Sequence, residues 1–154
     1  MMKLSKMSDY AVVMMTLMGA DPLANHTATT VAEKSGLTVP TVRKLMKMLS
    51  KAGLLNSTRG VNGGYTFAKN PNMINVSEII EAVDGPIAMT TCLDRTQTTC
   101  VMDSHCPTKD RWHVINDAVR TALQAVTLGQ FIEPTNPLVR VEFDEECKDN
   151  ACNV

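Results

Sequence analysis

A glycine-rich turn constrains the fold of this chain more than any other feature. Two short extended runs, Leu54–Thr58 and Tyr65–Ala68, are separated by the segment Arg59-Gly60-Val61-Asn62-Gly63-Gly64. Glycine accepts the positive φ angles of tight turns, and an Asn-Gly pair is typical of a β-hairpin. The segment therefore predicts a two-stranded hairpin.

Three helices are predicted before the hairpin. The first runs from about Lys3 to Gly19 and ends at Asp21-Pro22, because proline and the residue before it both resist helix. Its predicted apolar stripe consists of Tyr10, Val13, Met14 and Leu17.

A tight turn separates the second helix from the third. The second is predicted to begin near Thr30, with a Thr30–Glu33 capping box, and to end at Gly36. The third is predicted to begin at Thr38, with Pro40 in its first turn. Its predicted apolar face consists of Val42, Leu45, Met46 and Leu49. Helix, helix, turn, helix and hairpin follow the order of a winged helix-turn-helix, so the predicted fold is mainly α with a small β-hairpin wing.

The chain divides into three predicted regions. Residues 1–72 form a winged helix-turn-helix DNA-binding region, residues 73–132 a cluster-binding loop with a dimerisation helix, and residues 133–154 an acidic, flexible tail. The middle region is predicted to begin with a helix over Val76–Val83, which Asn75 caps.

A long helix is predicted from Thr108 to about Leu128. Its apolar residues recur at alternating intervals of three and four, the spacing of a coiled-coil seam. They are Trp112, Ile115, Val119, Ala122 and Val126. The length and regularity of the seam favour pairing with a second copy of the chain over packing inside one monomer.

Formal charge is distributed unevenly along the chain. Residues 1–72 carry nine basic and three acidic side chains, a charge of +6, whereas residues 73–154 carry −7. This asymmetry suggests a polyanion as partner of the first half. Basic side chains of the third helix can contact phosphates or base edges, and Arg59 can enter a narrow minor groove. The predicted DNA-binding residues are Thr41, Arg43, Lys44, Lys47, Lys51, Arg59, Gly60, Gly63 and Gly64. Taken singly, each lysine is explained as readily by a solvated surface charge.

Three of the five cysteines, Cys92, Cys100 and Cys106, lie in one aperiodic loop. The sequence has neither a membrane-spanning stretch nor an export signal, which predicts a reducing, cytoplasmic compartment and thiols rather than disulfides. Thiolates bind zinc or iron–sulfur clusters, and the lack of a CxxC pair favours a cluster. Three unliganded thiols are the alternative. Cys147 and Cys152, in the tail, are predicted to bind nothing.

Several of these motifs together resemble the Rrf2 family of bacterial regulators, which includes IscR-like, NsrR-like and SufR-like iron–sulfur sensors. Besides the three-cysteine loop, the likeness over residues 2–132 rests on Leu4-Ser5-Lys6, Asp9-Tyr10-Ala11, Arg59–Tyr65 and Glu78–Val83. The segments Glu81–Ala88 and Cys106-Pro107-Thr108 are most similar to the branch that regulates SUF iron–sulfur assembly genes.

The resemblance implies a homodimer with one cluster per subunit, held by the three loop cysteines and a variable fourth ligand. IscR-like members use a histidine three residues after the last cysteine, where this chain has Lys109. Some NsrR-like members use an aspartate of the first helix of the other subunit, and Asp9 matches that position. The preferred fourth ligand is Asp9, followed by His105 and then His113. A 2Fe–2S cluster is preferred and a 4Fe–4S cluster stays open.

The leading functional hypothesis is a regulator of transcription, not an enzyme, that binds double-stranded DNA as a homodimer and senses cluster status. It takes no small-molecule substrate and does not bind a membrane. Alternatives in the same class are an NsrR-like nitric oxide sensor and a zinc-stabilised regulator without redox sensing. A redox enzyme or electron carrier is a third hypothesis, although nothing in the sequence resembles a substrate pocket or nucleotide loop.

Overall fold

The computed structural model describes residues 3–61, 63–93 and 106–133. Its elements, in chain order, are α1 (Lys6–Gly19), α2 (Ala28–Ser35), α3 (Val39–Lys51), β1 (Leu55–Thr58), β2 (Gly64–Phe67), a 3-10 turn (Pro71–Met73), α4 (Val76–Asp84), α5 (Lys109–Ala125) and α6 (Leu128–Ile132). The predicted fold, mainly helical with one antiparallel hairpin, is confirmed.

Methionines of α1 form the centre of the core. Met14, Met15 and Met18 are buried, together with the whole predicted apolar face of α3. The predicted stripe of α1 was wrong in part, because Val13 is 43% exposed. Residues 11–15 are all apolar, so the sequence leaves two faces available and packing mainly against α4 and α6 decides between them.

The start of α2 differs from the prediction. Thr27 is the N-cap, and its hydroxyl accepts from the backbone N–H of Thr30, whose own hydroxyl accepts from the Thr27 N–H. The predicted Thr30–Glu33 capping box was therefore wrong, because Thr27 provides the same pair of hydrogen bonds one turn earlier. Gly36 ends α2 as predicted, with a φ of 71°.

The hairpin has a third, single-residue partner. Leu55 pairs with Phe67 and Thr58 with Gly64, while His26 forms two backbone hydrogen bonds of 2.8 Å with Tyr65. A Cβ added to Gly64 would lie 2.8 Å from the His26 carbonyl oxygen, so this position requires glycine for close approach of two chain segments. The bridge fixes the hairpin to the segment between α1 and α2.

The C-terminal part of the described chain returns to the helix-turn-helix. The predicted long helix was wrong at its end: α5 stops at Ala125, the Val126 carbonyl accepts from the Val76 N–H, and Thr127 caps α6. Leu128 of α6 is fully buried in the common core. A Cβ on Gly19 would collide with the side chain of Ile132, so α6 packs against α1 at the distance that glycine permits.

Candidate DNA interface and cysteine site

Helix α3 separates an apolar face from a basic one. Its four buried residues repeat at helical spacing, and the segment contains no acidic side chain. Arg43, Lys44, Lys47 and Lys51 are all exposed. Thr41 is half-buried, and its hydroxyl oxygen lies 2.9 Å from that of Thr38. The exposed face is therefore uniformly positive, as contact with a phosphate backbone requires.

The turn of the hairpin presents Arg59 to solvent. Its side chain is exposed, and the following Gly60 has a φ of 116°, a conformation that favours glycine. Gly63 lies so close to the turn backbone that a Cβ there would be 2.6 Å from the Thr58 carbonyl oxygen. These glycines shape the turn that carries the arginine. Asn62 lies outside the described residues.

Two residues that contact this hairpin, Asn25 and His26, were not predicted from the sequence. His26 is buried, and its Nε2 lies 2.9 Å from the Asp21 carbonyl oxygen. The Asn25 side chain lies against Gly64, where an added Cβ would be 2.4 Å from Oδ1. A lone histidine between an asparagine and a helix cap gives no periodic signal, so no sequence pattern could have identified it.

Two of the three predicted cysteine ligands lie within the described residues. Cys92 is half-buried with its Sγ 3.1 Å from the Thr90 hydroxyl oxygen, and Cys106 is half-buried with its Sγ 3.5 Å from that of Thr108. In each pair either atom can be the donor, so each hydroxyl is placed where it could donate to the sulfur of a thiolate ligand. Cys100 and His105 lie outside the described residues.

The described candidate ligands do not form a complete metal site in one chain. Among residues 3–61, 63–93 and 106–133, no three histidine, cysteine or acidic side chains are grouped closely enough to hold an ion. Asp9 is exposed in the first turn of α1, and His113 is exposed on α5. Soft thiolate donors at both ends of the 94–105 segment nevertheless match the chemistry that an iron–sulfur cluster requires.

Two side-chain interactions fix the segment before Cys92 and helix α4 to α5. The Met89 N–H donates to Asn116 Oδ1 at 3.0 Å, and Arg120 forms a 3.3 Å ion pair with Glu81. A gap of about 450 Å³ between α4 and α5 is lined by both of these α5 residues, by His113 and by Leu93. A hydrogen bond thus joins α5 to the segment before Cys92, and an ion pair joins α5 to α4.

Within the described residues, the apolar side chains of α5 are at most partly buried. No described side chain of α5 is fully buried. Ile115 is 45% exposed and Val114 is 70% exposed, whereas Trp112, Val119 and Ala122 are half-buried. Val126, the last residue of the predicted seam, lies beyond the end of the helix.

In the described parts of the chain, no helix is both long enough and apolar enough to cross a membrane.

Comparisons with known proteins agree with this arrangement. The Rrf2 family model, described as an iron-dependent transcriptional regulator, matches residues 4–134. The HTH-type transcriptional regulator IscR of Pectobacterium atrosepticum is 31% identical over 137 residues, which cover 85% of this chain and 79% of that protein. IscR of Escherichia coli K12 is also 31% identical, covering 85% and 80%.

Solved structures show the same fold. CymR, the global cysteine regulator of B. subtilis, matches with a TM-score of 0.68 and 26% identity over 88% of this chain and all of that one. IscR of T. potens matches with a TM-score of 0.62 and 25% identity, covering 92% and 94% of the two chains. These relatives are regulators of transcription rather than enzymes.

Proposed function

The chain belongs to the Rrf2 family of DNA-binding transcriptional regulators, and we propose that it is a homodimer whose DNA affinity depends on an iron–sulfur cluster. Cys92, Cys100 and Cys106 would hold the cluster. The observation that carries the proposal is the pairing of two features in one chain. The first is helix α3, whose charged side chains are all basic, together with a hairpin that carries Arg59 at its turn. The second is a pair of half-buried thiols, Cys92 and Cys106, which flank residues 94–105 and each lie close to a hydroxyl group.

Each of the three predicted regions would have its own role. Residues 1–72 bind DNA, residues 73–132 hold the cluster and pair the subunits, and residues 133–154 form an acidic tail. Exposed Arg43 and Lys44 would contact DNA in the major groove and Arg59 would contact the minor groove. The cluster would supply an oxidation-sensitive group, and the protein would respond to whether that group is present.

The proposed pairing of two subunits through α5 is supported by apolar side chains of this helix that are exposed or half-buried in the single chain. Ile115 and its half-buried neighbours on the predicted seam would pack against the same helix of a second subunit. A symmetric dimer presents two copies of α3 at a fixed separation, and two DNA half-sites must match that separation. A small change in the angle between subunits therefore changes DNA affinity strongly, which gives a coupling free energy between the cysteine site and the DNA site.

The fourth ligand would come from Asp9 of the second subunit. Asp9 is exposed in the first turn of α1 and takes no part in a three-ligand group among the described residues of its own chain. A 2Fe–2S cluster is the preferred type, and the preferred targets are genes for iron–sulfur assembly. His105 and His113 are the next candidate ligands.

Anaerobic purification tests the proposal as a whole. We expect a brown dimer that contains equal amounts of iron and acid-labile sulfide and binds a DNA duplex selected from a random pool. Removal of iron with a chelator should change that affinity. A colourless protein that contains zinc, or an affinity that iron removal leaves unchanged, would contradict cluster sensing. Exposure of the brown form to nitric oxide or to oxygen then identifies the signal.

Arg59 is expected to contribute specific DNA affinity. Replacing it with alanine should weaken binding to the selected duplex by about 1–3 kcal/mol, or roughly 5- to 150-fold, which is the usual effect of losing a groove contact. Lys51→Ala is the matched control, because an exposed charge at the end of α3 should affect all sequences equally and reduce the salt dependence. Fluorescence anisotropy at fixed salt measures both. Unchanged affinity of the Arg59 variant would exclude the groove contact.

A further inference from the structure

The last residue of α4 is hydrogen-bonded to the first turn of α1. Asp84 accepts from the Ser5 hydroxyl through Oδ1 at 2.8 Å and from the Ser8 hydroxyl through Oδ2 at 2.7 Å. The Ser5 oxygen also accepts from the Ser8 backbone N–H at 3.1 Å and thereby caps α1. Ser8 is fully buried. We call these three residues the Asp84 clamp.

The position of this carboxylate is unfavourable for its own helix. A negative charge at the C-terminus of α4 opposes the helix dipole, whereas the same charge at the N-terminus of α1 is stabilised by it. Asp84 therefore stabilises the junction between the two helices rather than α4 itself. Hydrogen bonds to an ionised group are stronger than neutral ones, and although Asp84 is exposed, its partner Ser8 is fully buried.

The clamp lies at the start of residues 85–92, which lead from α4 to the first cysteine and which we call the cysteine segment. Gly85 ends α4 with a φ of 88°, and the chain reaches Cys92 seven residues later. Between them the Met89 N–H is bonded to Asn116 of α5. The segment from Asp84 to Cys92 is thus attached to α1 at one point and to α5 at another.

Helix α1 connects the clamp to the DNA-reading helix. Two turns beyond the clamp, Met15 and Met18 of α1 are buried in the same core as Leu45 of α3. Close-packed cores transmit displacement because they cannot deform continuously. A shift of the cysteine segment at Asp84 therefore reaches α3 by two routes, through α1 and through α4, which itself packs against α3.

From this geometry we propose that Asp84 is a positioning residue, which couples the state of the cysteine segment to the orientation of α3. The inference rests on the proposed function. Its alternative is a clamp that only stabilises the fold, in which case loss of the clamp lowers stability and leaves the response of DNA affinity to iron removal intact.

The test is Asp84→Asn in the full-length dimer. The side chain keeps its shape, but its amide nitrogen can only donate, so one serine bond must reverse its direction, and the charge that strengthens both bonds is lost. The affinity for the DNA duplex selected by the wild type is measured for the iron-loaded and the chelator-treated forms, together with the melting temperature. We expect the ratio of the two affinities to fall at least about fivefold from the wild-type ratio.

A control variant, a second clamp variant and a hydrogen-exchange measurement accompany this test. Asp21→Asn removes an exposed acid just beyond the other end of α1 and should keep the wild-type ratio. Ser8→Ala breaks the clamp from the opposite side and should reproduce the Asp84→Asn ratio, which also covers failure of the first variant to fold. Amide hydrogen exchange at residues 6–9 should be faster in both clamp variants without iron.

The outcomes separate the inference from the proposed function. A lower melting temperature with an unchanged affinity ratio would overturn the positioning role and leave cluster sensing standing. A wild-type dimer whose DNA affinity does not respond to iron removal would overturn the proposed function and the inference with it.

Discussion

Cys92→Ala and Cys106→Ala are each expected to abolish the visible absorption of the anaerobically purified protein and to remove most of its iron and sulfide. Each replacement removes a thiolate from one end of residues 94–105, and an iron atom left without that ligand is exposed to solvent and oxygen. The variants should remain folded, because both thiols are half-buried and neither belongs to the hydrophobic core. Spectroscopy and metal analysis measure the loss.

The tail cysteines supply the matched control for this experiment. Cys147→Ala and Cys152→Ala should leave the absorption spectrum and the iron content unchanged, because both residues lie outside the loop between α4 and α5. Full iron content in either loop variant would show that the mutated thiol is not a ligand. Loss of iron from a tail variant would move the site toward the C-terminus.

Ile115→Asp is expected to convert the dimer to monomer and to eliminate binding to the two-half-site duplex. The side chain is 45% exposed in the single chain, so a carboxylate there is tolerated by the monomer but would be buried and unpaired between two subunits. An uncompensated buried charge costs about 3–5 kcal/mol, which weakens association by more than a hundredfold. Analytical ultracentrifugation measures the association constant, and circular dichroism checks the fold.

Gln124→Asp is the control for a charge at an exposed position of α5 outside the predicted seam. It should dimerise normally. A folded Ile115→Asp variant that remains dimeric would show that the seam residues are not the interface, and a monomeric Gln124→Asp variant would place the interface on a different face of α5.

Local signals in the sequence predicted the elements that their own residues determine. The apolar face of α3 is buried as its spacing requires, and Asn75 caps α4 as predicted. The Arg59–Gly64 segment joins two antiparallel strands, because its glycines accept the positive φ angles that a tight hairpin turn requires.

Predictions failed where contacts distant in sequence decide the outcome. The buried face of α1 was ambiguous because both faces are apolar, and contacts mainly with α4 and α6 select one of them. The end of α5 depends on the pairing of Val126 with Val76, which no periodicity reveals. The ligand set of the cysteine loop depends in the same way on where the chain brings Cys92 and Cys106, and on a residue that a second subunit would supply.

The docking of α6 on α1 also sets the order in which this protein matures during synthesis. Ile132 fills the space above Gly19, and Leu128 completes a core whose other members begin at Ala11, more than a hundred residues earlier. Contacts so distant in sequence form late, because closing a long loop is entropically costly. A chain still on the ribosome therefore exposes an unfinished DNA-binding unit until α5 and α6 have emerged. The docking of α6 on α1 thus delays completion of the core that supports α3 until the last described helix has been synthesised.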